Sequence, residues 1–73
     1  MSSDDLVRMS TQIAQFFEPY PSEEAVAGVQ EHLLKFWTPA MRAELSVVVR
    51  DDDQRVHPLV AAAVSRIQAG AAV

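Results

Sequence analysis

The 73-residue chain has no cysteine, so it can form neither a disulfide nor a thiolate ligand set for zinc or an iron–sulfur cluster. Its two glycines stand far apart, and no glycine-rich loop is present to hold a phosphate. No apolar run approaches the ~20 residues that a membrane-spanning helix needs. The acidic start, Met1 to Asp5, is unlike a secretory signal or a transit peptide. These absences predict a soluble, cytoplasmic protein.

Positive charge is also scarce. Six Lys and Arg residues stand against ten Asp and Glu residues, which gives a formal net charge of −4. The basic residues are scattered singly along the chain, whereas nucleic-acid binding depends on clustered bases that neutralise phosphates. We therefore expect no nucleic-acid partner and no membrane partner.

Residues that could carry out catalysis are few and poorly arranged. The two histidines, His32 and His57, form neither a His-Glu-x-x-His motif nor a pair four residues apart. A zinc site would need both of them plus carboxylates from two helices. We instead expect His32 on a helix flank, hydrogen-bonded or in contact with water, and His57 as a cap or loop residue. The run Asp51-Asp52-Asp53 lacks the glycine and the closing glutamate of an EF-hand loop. We expect no catalytic, cofactor-binding or metal site in this chain.

Apolar residues recur at three- and four-residue steps in four segments, which is the pattern of amphipathic helices. Pro19 and Pro21 end the first helix, and Ser22 is predicted to cap the second. Thr38-Pro39 is a typical helix start, and Gly70 is a predicted C-cap. The sequence predicts an all-α fold, a small bundle of three to four short helices in one domain over 1–73. The predicted helices span about 4–17, 22–36, 39–50 and 58–69.

One segment allows two interpretations. Residues 45–50 include three consecutive valines, and β-branched residues are typical of strands. A single strand has no partner strand within this chain, so helix is favoured. The alternative is an extended piece docked on another protein.

The apolar residues exceed what short helices can bury. Neighbours on a helix point ~100° apart, so Phe16 and Phe17 cannot both lie on one narrow stripe, nor can Phe36 and Trp37. A chain of this length also buries only roughly 60% of its unfolded surface, and its core is marginal. We predict that some of these rings form a patch that another protein covers. The alternative is that exposed apolar residues are scattered singly and carry no function.

Three stretches together resemble the delta subunit of soluble NAD-dependent formate dehydrogenases. The first is a Met-x-x-Gln-Ile-Ala-x-Phe-Phe pattern over 9–17, the second a His-x-x-x-Phe-Trp pattern over 32–37, and the third a Pro-x-Met-Arg pattern over 39–42. The resemblance covers about residues 6–62. The chain departs from its relatives at Ser10-Thr11 and at Ala40.

The resemblance implies a role in an enzyme that oxidises formate and reduces NAD⁺. Its large subunit holds bis-molybdopterin guanine dinucleotide, with molybdenum or tungsten, and iron–sulfur clusters, while two further subunits carry FMN and clusters. The chain would be the cofactor-free accessory subunit, docked on the large catalytic subunit and supporting its stability or cofactor loading. The alternative is a transient chaperone for molybdenum cofactor insertion. An independent small enzyme or metal protein is a third interpretation.

The same resemblance suggests which residues contact the partner. Phe17, Trp37 and Met41 are predicted as apolar anchors in a groove of the partner, whereas Phe16 and Phe36 are assigned to the internal core. Arg42 is predicted to pair with a partner carboxylate or carbonyl, and His32 to add a hydrogen bond. The alternative is that these residues simply close the helical core. The full predicted partner-binding set is Phe17, His32, Trp37, Pro39, Met41 and Arg42.

Overall fold

A computed structural model of the chain describes residues 2–51 and 54–71. These residues form four helices and no strand: α1 (Ser3–Phe17), α2 (Ser22–Phe36), α3 (Pro39–Arg50) and α4 (Pro58–Ala71). The predicted all-α bundle is confirmed, and segment 45–50 is helical rather than extended. Two residues of the aspartate run, Asp52 and Asp53, lie outside the described residues.

Short polar side chains cap the N-terminal ends of two helices, α1 and α3. The Ser2 hydroxyl accepts a hydrogen bond from the Asp5 N–H at 3.2 Å, and the Asp5 carboxylate accepts one from the Ser2 N–H at 3.4 Å. This reciprocal capping box satisfies N–H groups that have no partner inside α1. Thr38 caps α3 in the same way, because its hydroxyl accepts from the Met41 N–H at 3.1 Å.

Two predicted helix caps are wrong. The N-cap of α2 is Pro21, which has no side-chain oxygen, and Ser22 is the first helical residue instead of the cap. At the other end of the chain, α4 continues through Gly70 to Ala71, so Gly70 is not a C-cap. Among the described residues, no helix combines the length and the apolar character that crossing a bilayer requires.

A histidine links the start of α4 to the end of α1. His57 Nδ1 accepts a hydrogen bond from the Leu59 N–H at 3.0 Å and so caps α4. His57 Nε2 lies 2.7 Å from a carboxylate oxygen of Glu18, the residue after α1. Because Nδ1 accepts, the proton of the neutral ring lies on Nε2, and the ring donates to Glu18. Of the two roles that the sequence allows for His57, cap or loop residue, the structure shows the cap.

Each helix contributes at least one large, fully buried residue to a common core: Leu6 from α1, Val29 and Leu33 from α2, Leu45 from α3 and Val60 from α4. The most extensive helix pair is α2 with α4. Because α1 also contacts the three other helices, the core extends through all four elements. Trp37, directly after α2, belongs to this core.

Small residues occupy the centre of the buried face of α1. Ser10 and Ala14 are fully buried, and the Ser10 hydroxyl donates to the Val7 carbonyl at 2.9 Å, so this buried polar group is satisfied. The buried stripe steps from Leu6 to Ser10 and Ala14 by four residues each time. Phe17 follows three residues after Ala14 on the same side of the helix and packs against the core. This stripe leaves Phe16 about 100° away, on the outside.

Candidate functional site

Five ring side chains gather where the end of α1 and the turn after it lie beside α2. The rings of Phe16 and Phe17 meet edge to face with centroids 5.0 Å apart, and Tyr20 lies 5.8 Å from Phe17. On α2, the His32 ring lies 4.8 Å from that of Phe36. We call this set the aromatic face: Phe16, Phe17, Tyr20, His32 and Phe36.

The aromatic face is open to solvent. Phe16 is 68% exposed, Phe36 is 71% exposed and Tyr20 is 49% exposed. Phe17 and His32 are half-buried between them. Single exposed apolar residues are common on protein surfaces, whereas contiguous apolar patches are typical of interaction sites. Aromatic residues are also enriched in protein–protein interfaces, where a few of them contribute most of the binding energy.

Gly28 allows Phe17 to lie directly against α2. A Cβ atom at position 28 would lie 2.4 Å, 2.6 Å and 2.7 Å from three carbons of the Phe17 ring, all inside van der Waals contact. The structure shows that Gly28 serves close packing, because the Phe17 ring lies directly against the α2 backbone at this position.

We predict that Gly28→Ala destabilises the chain by about 1 kcal/mol. The methyl group forces the Phe17 ring away from α2, and such overpacking costs about 1–3 kcal/mol. Alanine recovers up to ~1 kcal/mol of helix propensity, which offsets part of this loss. Gly70→Ala is the matched control, because a Cβ there meets nothing within 4 Å and the helix is only favoured. Urea unfolding of both variants measures the difference, and equal stabilisation by the two would contradict the role of Gly28.

Two adjacent hollows open on the aromatic face. One, of about 290 Å³, is lined by Ile13, Phe16, Phe17 and His32. The other, of about 270 Å³, shares Phe17 and His32 with the first and extends over Gly28 to Phe36. Phe17 and His32 therefore form the divide between the hollows. Each hollow has room for an apolar side chain of a partner.

A charged pair borders the second hollow. Lys35 Nζ lies 2.7 Å from a carboxylate oxygen of Glu31, one helical turn away on α2. This hydrogen bond, together with the positive charge of Lys35, lowers the pKa of the Glu31 carboxyl. Glu31 is therefore ionised at neutral pH. The first hollow has no charged side chain among its lining residues, so the aromatic face has an apolar side and a polar side.

In each aromatic pair the predicted core residue is the more exposed one, and the predicted anchor is the more buried one. Trp37 is only 5% exposed and packs in the core, so it is not a surface anchor, and Phe36 beside it is outside. Likewise Phe16 is outside, while Phe17 lies against the core at the floor of the hollows. The assignment of Phe16 and Phe36 to the core is wrong because each faces away from the buried stripe of its helix.

The other predicted contact residues lie at the junction of α2 and α3. Arg42 Nη1 donates to the Trp37 carbonyl at 2.6 Å and to the Leu33 carbonyl at 3.3 Å, so the guanidinium closes the C-terminal end of α2 from within the chain. Met41 is half-buried against the core, and Pro39 is exposed at the first position of α3. Of the six predicted residues, only Phe17 and His32 belong to the aromatic face.

A smaller cavity lies among α2, α3 and α4. Its volume is about 130 Å³, and its walls are mostly apolar, with Leu33, Leu45 and Val64 among them and Arg42 at one side. No group of three or more His, Cys, Asp or Glu side chains suited to a metal ion occurs in the described part of the chain. His32 and His57 have separate surroundings, one on the aromatic face and one at the start of α4.

The fold and the aromatic face together define a small helical protein with an exposed cluster of aromatic rings. Residues 5–64 match the family model described as the NADH-dependent formate dehydrogenase delta subunit FdsD, and the chain belongs to this family. A search of curated proteins and a search of solved structures found no match. The family resemblance read from the sequence is confirmed, and a delta subunit is by definition one chain of a complex with other subunits.

Proposed function

We propose that the chain is a non-catalytic accessory subunit of a cytoplasmic NAD-dependent formate dehydrogenase. It docks on the large molybdenum-cofactor subunit and supports the stability or cofactor loading of that subunit. The family match over residues 5–64 supports the enzyme, and the exposed rings of the aromatic face support the docking role. The aromatic face is the observation on which the docking role depends.

The proposal assigns the cofactors to the other subunits. Bis-molybdopterin guanine dinucleotide, the iron–sulfur clusters and FMN would all be held outside this chain, which has no cysteine to ligate a cluster. Formate oxidation and NAD⁺ reduction would then take place in those subunits. The delta chain contributes a covering surface, and burial of its rings removes apolar area from water in the complex.

The predicted contact residues divide into two groups under this proposal. Phe17 and His32 contact the partner as the floor of the aromatic face. Pro39, Met41 and Arg42 lie at the α2–α3 junction and provide a second, smaller contact area. Trp37 supports both areas from the core, because it directly follows α2 and its carbonyl holds Arg42.

Purification of the dehydrogenase through a tag on its large subunit tests the proposal. We expect the delta chain to elute with the active enzyme at a constant ratio through gel filtration. We also expect enzyme made without the delta chain to lose activity faster on heating, or to contain less molybdenum.

Two other results would change the conclusion. Recovery of the delta chain only with cofactor-free large subunit, and its loss from the active enzyme, would identify a transient assembly chaperone. Absence of the chain from both forms would show that the proposed docking role is wrong.

A further inference from the structure

We propose that the aromatic face receives an amphipathic helix of the large subunit, with two apolar side chains in the two hollows and arginine or lysine beside them. This inference rests on the proposed function and names the part of the partner that the surface fits. Its evidence is the geometry of the α1–α2 pair, the two hollows and the charge of the chain.

The aromatic face follows the seam between two neighbouring helices. A four-residue turn joins α1 to α2, and α4 packs against both of them. The outer rings of the aromatic face are uncovered, with Phe16 on the α1 side of the seam and Phe36 on the α2 side. A groove between two packed helices is the usual seat of a third helix, whose apolar residues enter it. The bound segment would complete the bundle as a fifth helix.

The positions of the two hollows determine how far apart the two apolar side chains of the partner helix must be. They share Phe17 and His32 as a divide, so the side chains that fill them must be close neighbours. On a helix, side chains three or four residues apart have Cβ atoms about 5–6 Å from each other and point the same way. A helix with one such apolar pair can therefore fill both hollows at once. One side chain meets only rings and Ile13, and the other lies beside the Glu31–Lys35 pair.

Charge favours a basic partner and disfavours a second copy of this chain. The chain has a net charge of −4, and α2 itself carries three glutamates against one lysine. Two copies would repel each other, and so would this chain and an anionic membrane surface. Arginine or lysine on the partner is attracted to the net negative charge of the chain, and it can also stack on the exposed rings of Phe16 and Phe36 through cation–π contact.

Photo-crosslinking in the assembled dehydrogenase tests which segment occupies the aromatic face. A photoreactive phenylalanine analogue replaces Phe36, and a second enzyme preparation carries it in place of Val47, which is 43% exposed on α3. We expect position 36 to crosslink to a large-subunit helix with an apolar pair flanked by arginine or lysine, and position 47 to leave that helix unlabelled. Crosslinks from position 36 to a second delta chain, to another subunit, or to an acidic or non-helical segment would overturn the proposal.

Binding measurements give an independent test. Phe16→Ala combined with Phe36→Ala should weaken the affinity of the delta chain for the purified large subunit about thirtyfold or more. Val47→Ala is the control and should leave affinity unchanged. Both residues of the double variant are exposed, so its circular dichroism and unfolding midpoint should match the wild type. A higher salt concentration should weaken the binding of the wild-type chain, because salt screens the attraction between opposite charges.

The outcomes separate this inference from the proposed function. If the double variant binds like wild type while the delta chain still purifies with the active enzyme, the docking role remains and the aromatic face is the wrong surface. If no delta chain purifies with the large subunit at all, the proposed function itself fails.

Discussion

Trp37→Ala is expected to lower the free energy of unfolding of the isolated chain by about 3–5 kcal/mol, the usual cost of truncating a buried aromatic residue to alanine. Trp37 is 5% exposed and packs with core residues from all four helices. Native domains have roughly 0.05–0.15 kcal/mol of stability per residue, so this loss is a large share of the total. We expect the variant to unfold at a much lower urea concentration than the wild type.

The neighbouring residue supplies the matched control. Phe36→Ala removes a ring of similar size one position away, but that ring is 71% exposed. Its effect on stability should stay within about 0.5 kcal/mol, as for other surface substitutions. Trp37→Phe keeps an aromatic ring in the core and should leave a folded protein with an intermediate loss of stability. Urea unfolding followed by circular dichroism measures all three.

Equal stability of the Trp37→Ala and Phe36→Ala variants would show that Trp37 is not a core residue. Weaker binding of folded Trp37→Phe to the large subunit, with little loss of stability, would restore the role of Trp37 as a partner anchor. The structure predicts neither of these results. Trp37 variants lose stability first, whereas Phe36 variants keep their stability and lose binding.

The two aromatic pairs show why the sequence predicted four helices correctly and two burial assignments wrongly. Periodicity locates a helix over several turns, but it places the centre of the apolar stripe only to within about one residue, or 100°. For Phe16 and Phe17 the deciding residues are Ser10 and Ala14, the small buried centre of α1. The large residues alone do not reveal this centre, since Met9 and Ile13 lie toward the side.

Trp37 is a different case, because it lies beyond the last residue of α2. Its backbone is extended, with φ −97° and ψ 143°, and the helical period no longer sets the direction of its side chain. Thr38 and Pro39 then begin α3 at once, and the sharp junction turns the indole inward. Thr38-Pro39 was recognisable as a helix start, but the consequence for the preceding side chain depends on how α3 packs.

Contacts between residues that are far apart in the sequence could not be predicted either. Gly28 and Phe17 are eleven positions apart, and only the crossing of α1 and α2 brings the ring onto the glycine. His57 and Glu18 are 39 positions apart, and their hydrogen bond depends on where α4 starts. Local patterns predict helices and caps because these depend on nearby residues. Pairing across the bundle depends on the packing of complete helices.

The residues that identify the family therefore serve two purposes. Each aromatic pair has one member turned to the core, Phe17 or Trp37, and one turned to solvent, Phe16 or Phe36. The inner member fixes the position of its helix, and the outer member is then held at a defined place on the aromatic face. A protein whose own core is small can present a rigid surface in this way.

Arg42→Met is expected to lower the free energy of unfolding of the isolated chain by about 2 kcal/mol. Hydrogen bonds from charged groups contribute about 1.5–3 kcal/mol, and Arg42 Nη1 makes two, to the Trp37 and Leu33 carbonyls at the end of α2. Methionine keeps most of the apolar stem but loses the donors, and Arg42→Lys keeps the charge without the planar fork. Lysine should recover only part of the loss.

Arg50→Met is the matched control, because Arg50 lies on the same helix with its side chain 74% exposed, and this change should cost under about 1 kcal/mol. The result decides between the two roles of Arg42. If Arg42→Met leaves the isolated chain as stable as Arg50→Met does, but weakens binding to the large subunit, the contact role predicted from the sequence is correct. A loss of stability in the isolated chain, before any partner is added, shows that Arg42 holds the junction of α2 and α3. Any contact it makes with the large subunit then depends on that junction.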